Sequence, residues 1–358
     1  MDVSIIIPVY NVAPYIGDCL RSVMQQSYKG YMECILVDDC GSDDSIVIAE
    51  QMIAEYDGYI QFEILHHDHN RGLSAARNTG TLQAKGDWIY YLDSDDEISE
   101  DCIEKMIVVV RETPDVDMVQ GKHNIFRNKY KQIVTTQENQ LVHAVTNNET
   151  RECLYIHNQV PISAWNKLLK REMIIQYQIL FKEGALYEDV LWLFLLLKYV
   201  SNAYFIPDIT YHYRKRQGSI CTATDKQTSA RHYCMAFEDI INQLTPGHES
   251  EEFKFYGIFF SKLCLSYANY YPSMKEVSLM YLKYAWKLRC FTVGRKLVVY
   301  YILGRYRFGR MVLTLLVRLK HPRLIISDLQ RVFKRLKRFF IPFQQLWPRI
   351  SDVCPSRA

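Results

Sequence analysis

Residues 3–9 form an apolar, largely β-branched run that ends in Pro8, Val9 and a turn at Tyr10-Asn11. A short run of this kind, bounded by turn residues, reads as a buried strand. The period then changes: Ile16, Leu20, Val23 and Met24 fall on one face of a helix. The same switch repeats along the chain. A strand is predicted at 34–37, a helix with the stripe Ile46, Ala49, Ile53 and Tyr56, a strand at 60–65, a helix at 73–84 and a strand at 88–92. Ser42 or Asp43 is placed to cap the second helix. Strand alternating with helix predicts an α/β fold with a mostly parallel sheet and helices on both faces. Beyond it come an apolar helix at 188–200, a strand at 209–214 and an aromatic-rich helical stretch at 225–290.

Ligands of such sheets sit outside the carboxyl ends of the strands, and the polar motifs of this chain fall there. The strand at 88–92 runs into Asp93-Ser94-Asp95-Asp96. Carboxylates this close repel one another unless a cation lies among them, and hard divalent cations take carboxylate oxygens. The alternative is a solvated turn that starts the next element. Asp38-Asp39 closes the second strand, where an acid can accept hydrogen bonds from a base or ribose. Asn70-Arg71-Gly72-Leu73-Ser74-Ala75-Ala76-Arg77-Asn78 opens a helix whose N-terminus favours anions. Arg71 and Arg77 are candidates to contact phosphate or to brace the acidic clusters. Tyr187-Glu188-Asp189 precedes an apolar helix, so a carboxylate there is a candidate general base with a raised pKa, or a helix-dipole partner. Tyr211 to Ser219 is a basic aromatic segment that reads as a surface loop or a cover for a diphosphate.

Composition adds location. The chain of 358 residues is 49% hydrophobic and 23% charged, which is globular. Its 10 cysteines form no Cys-x-x-Cys pair and no zinc spacing, as expected in a reducing compartment. Asp2 stands where a signal peptide would be basic, and the longest apolar run, 190–197, falls short of the ~20 residues that span a bilayer. A cytoplasmic protein is expected.

Charge is divided unevenly. Residues 287–358 hold 17 of the 43 Lys and Arg but 2 of the 40 Asp and Glu. Apolar residues interleave with the basic ones, as in the stretch from Arg331 to Phe340. Basic amphipathic helices lie on anionic membrane surfaces. That reading is favoured over packing or dimerisation through the acidic body, and nucleic acid is not expected as a partner.

Taken together, the motifs resemble glycosyltransferase family 2, inverting enzymes of the GT-A fold, across residues 3–220. The matching pieces are Ser4 to Asn11, Val37 to Asp44, Asn70 to Asn78, Asp93 to Asp96, Trp165-Asn166-Lys167-Leu168 and Glu188-Asp189. The resemblance implies a catalytic domain at 1–220, with nucleotide-sugar binding in 1–120 and the acceptor and base region in 121–220. A helical region at 221–290 and a basic amphipathic extension at 291–358 would follow.

Residue by residue, it implies that Pro8 and Tyr10 line the base pocket and that Asp39 accepts from the base. Asp93 and Asp95 would occupy the family's D-x-D, with Asp95 or Asp96 on Mg2+ or Mn2+. Arg71, Arg77, Arg214 and Ser219 would face the donor, a UDP-sugar in the common case. Asp189 would be the base that activates a hydroxyl of a saccharide or lipid-linked acceptor. Cys40 stands where the family commonly has Gly or Asn, and its small side chain is expected to matter little.

The expected setting is surface polysaccharide assembly on the cytoplasmic face of the inner membrane. Two rivals remain. A nucleotidyltransferase would carry a Gly-rich basic loop where Tyr10-Asn11-Val12-Ala13-Pro14 stands. A non-catalytic scaffold would not need the acids at 93, 95, 96 and 189.

Overall fold

The computed structural model describes residues 2–126, 134–135, 145–146, 160–216 and 224–244. The basic stretch from 287 onward, Ser219 and most of the aromatic-rich stretch lie outside the described residues.

The first half follows the predicted alternation. Strand β1 (Val3–Val9) leads to helix α1 (Ala13–Met24), β2 (Met32–Asp38), α2 (Ser45–Ala54), β3 (Gln61–His66), α3 (Leu73–Gln83) and β4 (Trp88–Tyr91). Then come β5 (Glu97–Ile98), α4 (Cys102–Glu112), β6 (Met118–Phe126), β7 (Val134–Thr135), β8 (Val145–Thr146) and β9 (Lys167–Lys170). Helices α5 (Arg171–Gln176) and α6 (Asp189–Tyr199), strand β10 (Asn202–Arg214) and helix α7 (Lys226–Asn242) complete the described order.

One sheet runs β3-β2-β1-β4-β9-β6-β10-β5, with β7 on β6 and β8 on β10. β1, β2, β3 and β4 pair in parallel, as do β6 and β10. β9 lies antiparallel between β4 and β6, so both of these run in the direction of β1. The sheet is therefore parallel in its long strands and mixed through its short ones. The sequence reading did not foresee β5, β6, β9, α4 or α5.

Alternate residues of each strand face opposite sides. Ile6, Ile89, Tyr91, Met118 and Leu169 join Ala76 of α3 and Trp192, Leu193 and Leu196 of α6 in one core. Ile5, Ile7, Tyr90, Val119 and Leu168 join Leu20 of α1 and Ile103, Met106 and Ile107 of α4 in the other. Pro8 sits in an inner strand yet leaves no orphaned bond. Val9 turns its carbonyl to Asp39 beyond β2, so the nitrogen of Pro8 faces the β4 side, where the ladder ends at Tyr91.

Of the two candidates to cap the second helix, Asp43 takes a helix amide and Ser42 does not. Ser42 gives its amide to Asn11 Oδ1, and the helix amide at Ser45 is taken by Asp43 Oδ1 at 3.1 Å. Among the described residues no helix is long and apolar enough to cross a membrane.

Candidate active site

The carboxyl ends of β1, β2 and β4 and the start of α3 converge on one edge. Their turns need unusual backbone. Asn11 and Cys40 have φ of 51° and 58°, and Gly72 has φ of 89°. Glycine adopts that region without cost, whereas a residue with a Cβ is strained there. Cys40 therefore carries a cost that the sequence reading did not assign to it: its backbone, not its side-chain size, is what matters.

Asp39, at the end of β2, is buried and ties three elements together. Its Oδ1 accepts from Arg71 N at 2.8 Å and from His67 Nδ1 at 2.7 Å, and its Oδ2 accepts from Gly72 N at 2.8 Å. His67 Nε2 lies 2.9 Å from Thr79 Oγ1 on α3. The helix start is thus fixed by the carboxylate at the strand end. Tyr10 stands beside this hub and is 47% exposed, whereas Pro8 is buried in β1. The side chain of Arg71 turns to Glu183 at 3.3 Å.

Arg77 is the buried centre of a second cluster, with 1% of its surface exposed. Its Nη2 donates to Asp93 Oδ1 at 2.8 Å, and its Nη1 donates to Glu188 Oε1 at 2.8 Å and Asp189 Oδ1 at 3.1 Å. Burial alone would lower its pKa, but Asp189, Asp93 and Glu188 outweigh that and hold it above its ordinary value. Asp189 opens α6, whose inner residues are all apolar. Burial pushes its carboxyl up to about 7, against the opposing pull of Arg77 and with the help of Glu188 and Asp93. Tyr187, at φ of 59°, is clamped before it by stacking on Tyr233 of α7 at 4.3 Å.

The third cluster surrounds the acidic turn after β4. Asp96 is fully buried: its Oδ2 accepts from Tyr211 at 2.7 Å and its Oδ1 from Arg214 N at 2.7 Å. Burial, then Asp95 and Asp93, push its carboxyl well above the usual range. Through these two bonds it ties the acidic turn to β10.

Asp95 pairs with Arg216, and burial and Asp93 raise its pKa as well. Arg214, expected at the donor, spends its Nε on Asp95 O at 3.0 Å and its Nη2 on Asp18 and Glu97 at 3.0 and 2.6 Å. Of the expected residues, the structure thus unites Arg77, Asp93 and Asp189, and separately Asp95, Asp96 and Arg214. Among the described residues no group of three or more His, Cys, Asp or Glu stands ready-made to hold a metal.

The sequence reading gave no role to His67, Lys167 or Arg216, and held Glu188 only as part of a pair in which either carboxylate could be the base or a helix-dipole partner. Glu188, Lys167 and Arg216 lie in segments it had singled out. His67 carries no local signal, because its partners belong to other elements.

The site is thus an α/β sheet with Asp39 and Asp93 to Asp96 at the ends of parallel strands, and Asp189, raised to about 7, at the start of α6 joined to Asp93 through Arg77. Residues 4–177 match the glycosyl transferase family 2 model, and the chain carries a glycosyltransferase domain of that family. Glycosyltransferase GlyG of Streptococcus pneumoniae is 28% identical over 225 residues, covering 61% of this chain and 72% of GlyG. Matches to curated relatives span from 31% to 72% of their lengths, and several fall below two thirds. The fold is that of Staphylococcus aureus TarS 1–349, solved with UDP-GlcNAc, at a TM-score of 0.61 and 19% identity over 85% of this chain and 90% of that one. It is also that of mannosyltransferase PcManGT from Pyrobaculum calidifontis, solved with GDP-Man and Mn2+, at 0.53 and 17% over 87% and 83%.

Proposed function

We propose that this glycosyltransferase moves a sugar from a UDP-linked donor to a hydroxyl of a saccharide or lipid-linked acceptor, with inversion. Asp189 carries the reading. It is a carboxylate raised to about 7, fixed through Arg77 to the acidic turn at Asp93. A base near neutral pH suits removal of a hydroxyl proton. Asp189 Oδ1 is held by Arg77, which leaves Oδ2 for the acceptor. The acceptor proton passes to Asp189, its oxygen bonds to the anomeric carbon, and the bond to the diphosphate breaks on the opposite side. UDP leaves with that electron pair.

Tyr10 and Asp39 receive the base over Pro8, and Arg71 is released from Glu183 to meet the diphosphate. The choice of UDP is supported by the complex of TarS with UDP-GlcNAc. Asp93 and Asp95 fit Mg2+ or Mn2+ chemically. They offer oxygen donors on one turn, each with a second oxygen not used by Arg77 or Arg216, and their repulsion favours a cation. Such an ion, when bound, neutralises the leaving diphosphate as a Lewis acid. The complex of PcManGT with GDP-Man and Mn2+ is consistent with this choice.

Titration calorimetry of UDP with Mn2+, then with EDTA, tests the reading. Binding is expected with the metal and not after its removal. Absence of binding in both conditions overturns the UDP assignment. The basic stretch beyond 287 would hold the enzyme on an anionic leaflet, beside a lipid-linked acceptor of surface polysaccharide assembly. Removal of residues 287–358 should then release the protein from phosphatidylglycerol vesicles, and unchanged vesicle binding overturns that role.

A further inference from the structure

The stretch of chain that leads into α6 is held at both ends. Asn78, beside Arg77 on α3, holds its start: Nδ2 donates to the Phe181 carbonyl and Oδ1 accepts the Phe181 amide, both at 2.8 Å. The other end is held by α7. Ser229, His232, Tyr233 and Asp239 recur at helical spacing and lie along one side of that helix.

His232 Nδ1 accepts the Leu186 amide at 3.1 Å, and Lys182 donates to both oxygens of Asp239 at 2.7 and 2.6 Å. Tyr187 stacks on Tyr233 with ring centroids 4.3 Å apart and planes inclined by 13°. Its hydroxyl meets Ser229 Oγ at 2.7 Å. Ser229 has one hydroxyl proton and gives it to the Asp225 carbonyl at 2.9 Å, so Tyr187 is the donor of the pair.

These contacts hold a backbone that is strained on its own. Tyr187 has φ of 59°, a region that a Cβ disfavours, and such a residue persists only where its surroundings over-determine it. The turn it makes has a direct consequence. The Tyr187 carbonyl accepts the Val190 amide at 3.1 Å, and the Glu188 carbonyl accepts the Trp192 amide at 3.1 Å, so α6 starts from this turn. Asp189 is the first residue of α6, and Arg77 Nη1 reaches Glu188 and Asp189 at 2.8 and 3.1 Å. Relaxation of Tyr187 to negative φ would redirect the chain into α6 and draw both carboxylates off the guanidinium.

We propose that Tyr187 is the positioning residue of the base: seated on Tyr233 of α7, its ring locks the left-handed turn that starts α6 and so delivers Asp189 to Arg77. This rests on the reading of Asp189 as the base, and it extends the transfer machinery to a helix beyond residue 224.

The test follows the Asp189 carboxyl itself, by NMR of the full chain carrying isotope-labelled aspartate carboxyls, titrated without added metal. Its resonance is the one missing from Asp189→Asn. In wild type it should titrate at about 7. Tyr187→Ala frees the turn and admits water, so burial no longer holds the carboxyl up and its midpoint should fall toward about 4. Tyr187→Phe keeps the stack and should titrate close to wild type. Tyr233→Leu removes the partner ring and should behave as Tyr187→Ala does, and it decides the question if the alanine variant does not fold. A folded Tyr187→Ala or Tyr233→Leu whose Asp189 keeps the wild-type midpoint overturns the proposal, however much its melting temperature drops, because the ring would then serve stability alone. A Tyr187→Phe that falls as far as the alanine variant overturns it too. A wild-type midpoint near 4 strikes the reading of Asp189 as the base, and the positioning role with it.

Discussion

Arg77 and Asp189 meet at 3.1 Å across 112 residues of sequence, and the same guanidinium reaches Asp93 at 2.8 Å. One buried cation thus fixes Asp189 relative to the acidic turn. Breaking a buried pair by removing one partner costs about 3–5 kcal/mol, since the remaining charges lose their compensation. Arg77→Met should lower the urea midpoint accordingly and abolish transfer. Arg77→Lys should recover little of either, because a single ammonium cannot fork among three carboxylates.

As the proposed base, Asp189 with its raised carboxyl should make transfer depend on pH. Its conjugate base is the active form, so the rate should climb with pH through about 7. Glu188 is one of the charges that raise Asp189, so Glu188→Gln should shift that limb to lower pH. Stability runs the other way. The native state binds this proton more tightly than the unfolded chain, so the contribution of Asp189 is full below about 4 and declines as pH rises to about 7. Asp189→Asn should keep UDP binding, lose about 10²–10⁴-fold in rate, and flatten the melting temperature between those pH values.

Two neighbouring acids should behave differently. Asp95→Ala should weaken Mn2+-dependent UDP binding at least tenfold in calorimetry, with little change in melting. Asp96→Ala leaves the Tyr211 hydroxyl and the Arg214 amide without their acceptor. An unmet buried group costs roughly 1–3 kcal/mol, so this variant should melt well below wild type.

Cys40 offers a gain. At φ of 58° it occupies a region that costs a side-chain-bearing residue about 1–2 kcal/mol. Glycine gives part of this back through its greater freedom when unfolded. Cys40→Gly should therefore raise stability by about 0.5–1 kcal/mol, and Cys40→Val should lower it, both read by thermal melting.

The donor half of the fold was legible because its strands and helices are long enough for a period to show. Predicted and observed bounds differ there by one or two residues, as in 34–37 against Met32–Asp38. β5, of two residues, and β9, of four, are too short to carry a period. The acids of the site were legible from their places at strand ends. Their directions were not: Asp95 and Asp96 are adjacent in sequence, yet only Asp96 turns fully inward onto β10. Arg71 and Arg77 were open to two readings each; the structure places Arg77 among the buried carboxylates of Asp93, Glu188 and Asp189 and turns Arg71 to Glu183. Gln120 and Lys167 come together only through strand pairing, which no local pattern announces.

β9 runs against both of its neighbours. Its first residue, Lys167, therefore arrives where β4 ends, opposite Gln120 near the start of β6. A single reversed strand lets the chain approach one edge from two directions: β1, β2 and β4 reach it with their carboxyl ends, and β9 with its amino end. Such a layout couples the segment entering β9 to the first four strands through β4 alone, while the register of β1, β2 and β3 is set among themselves.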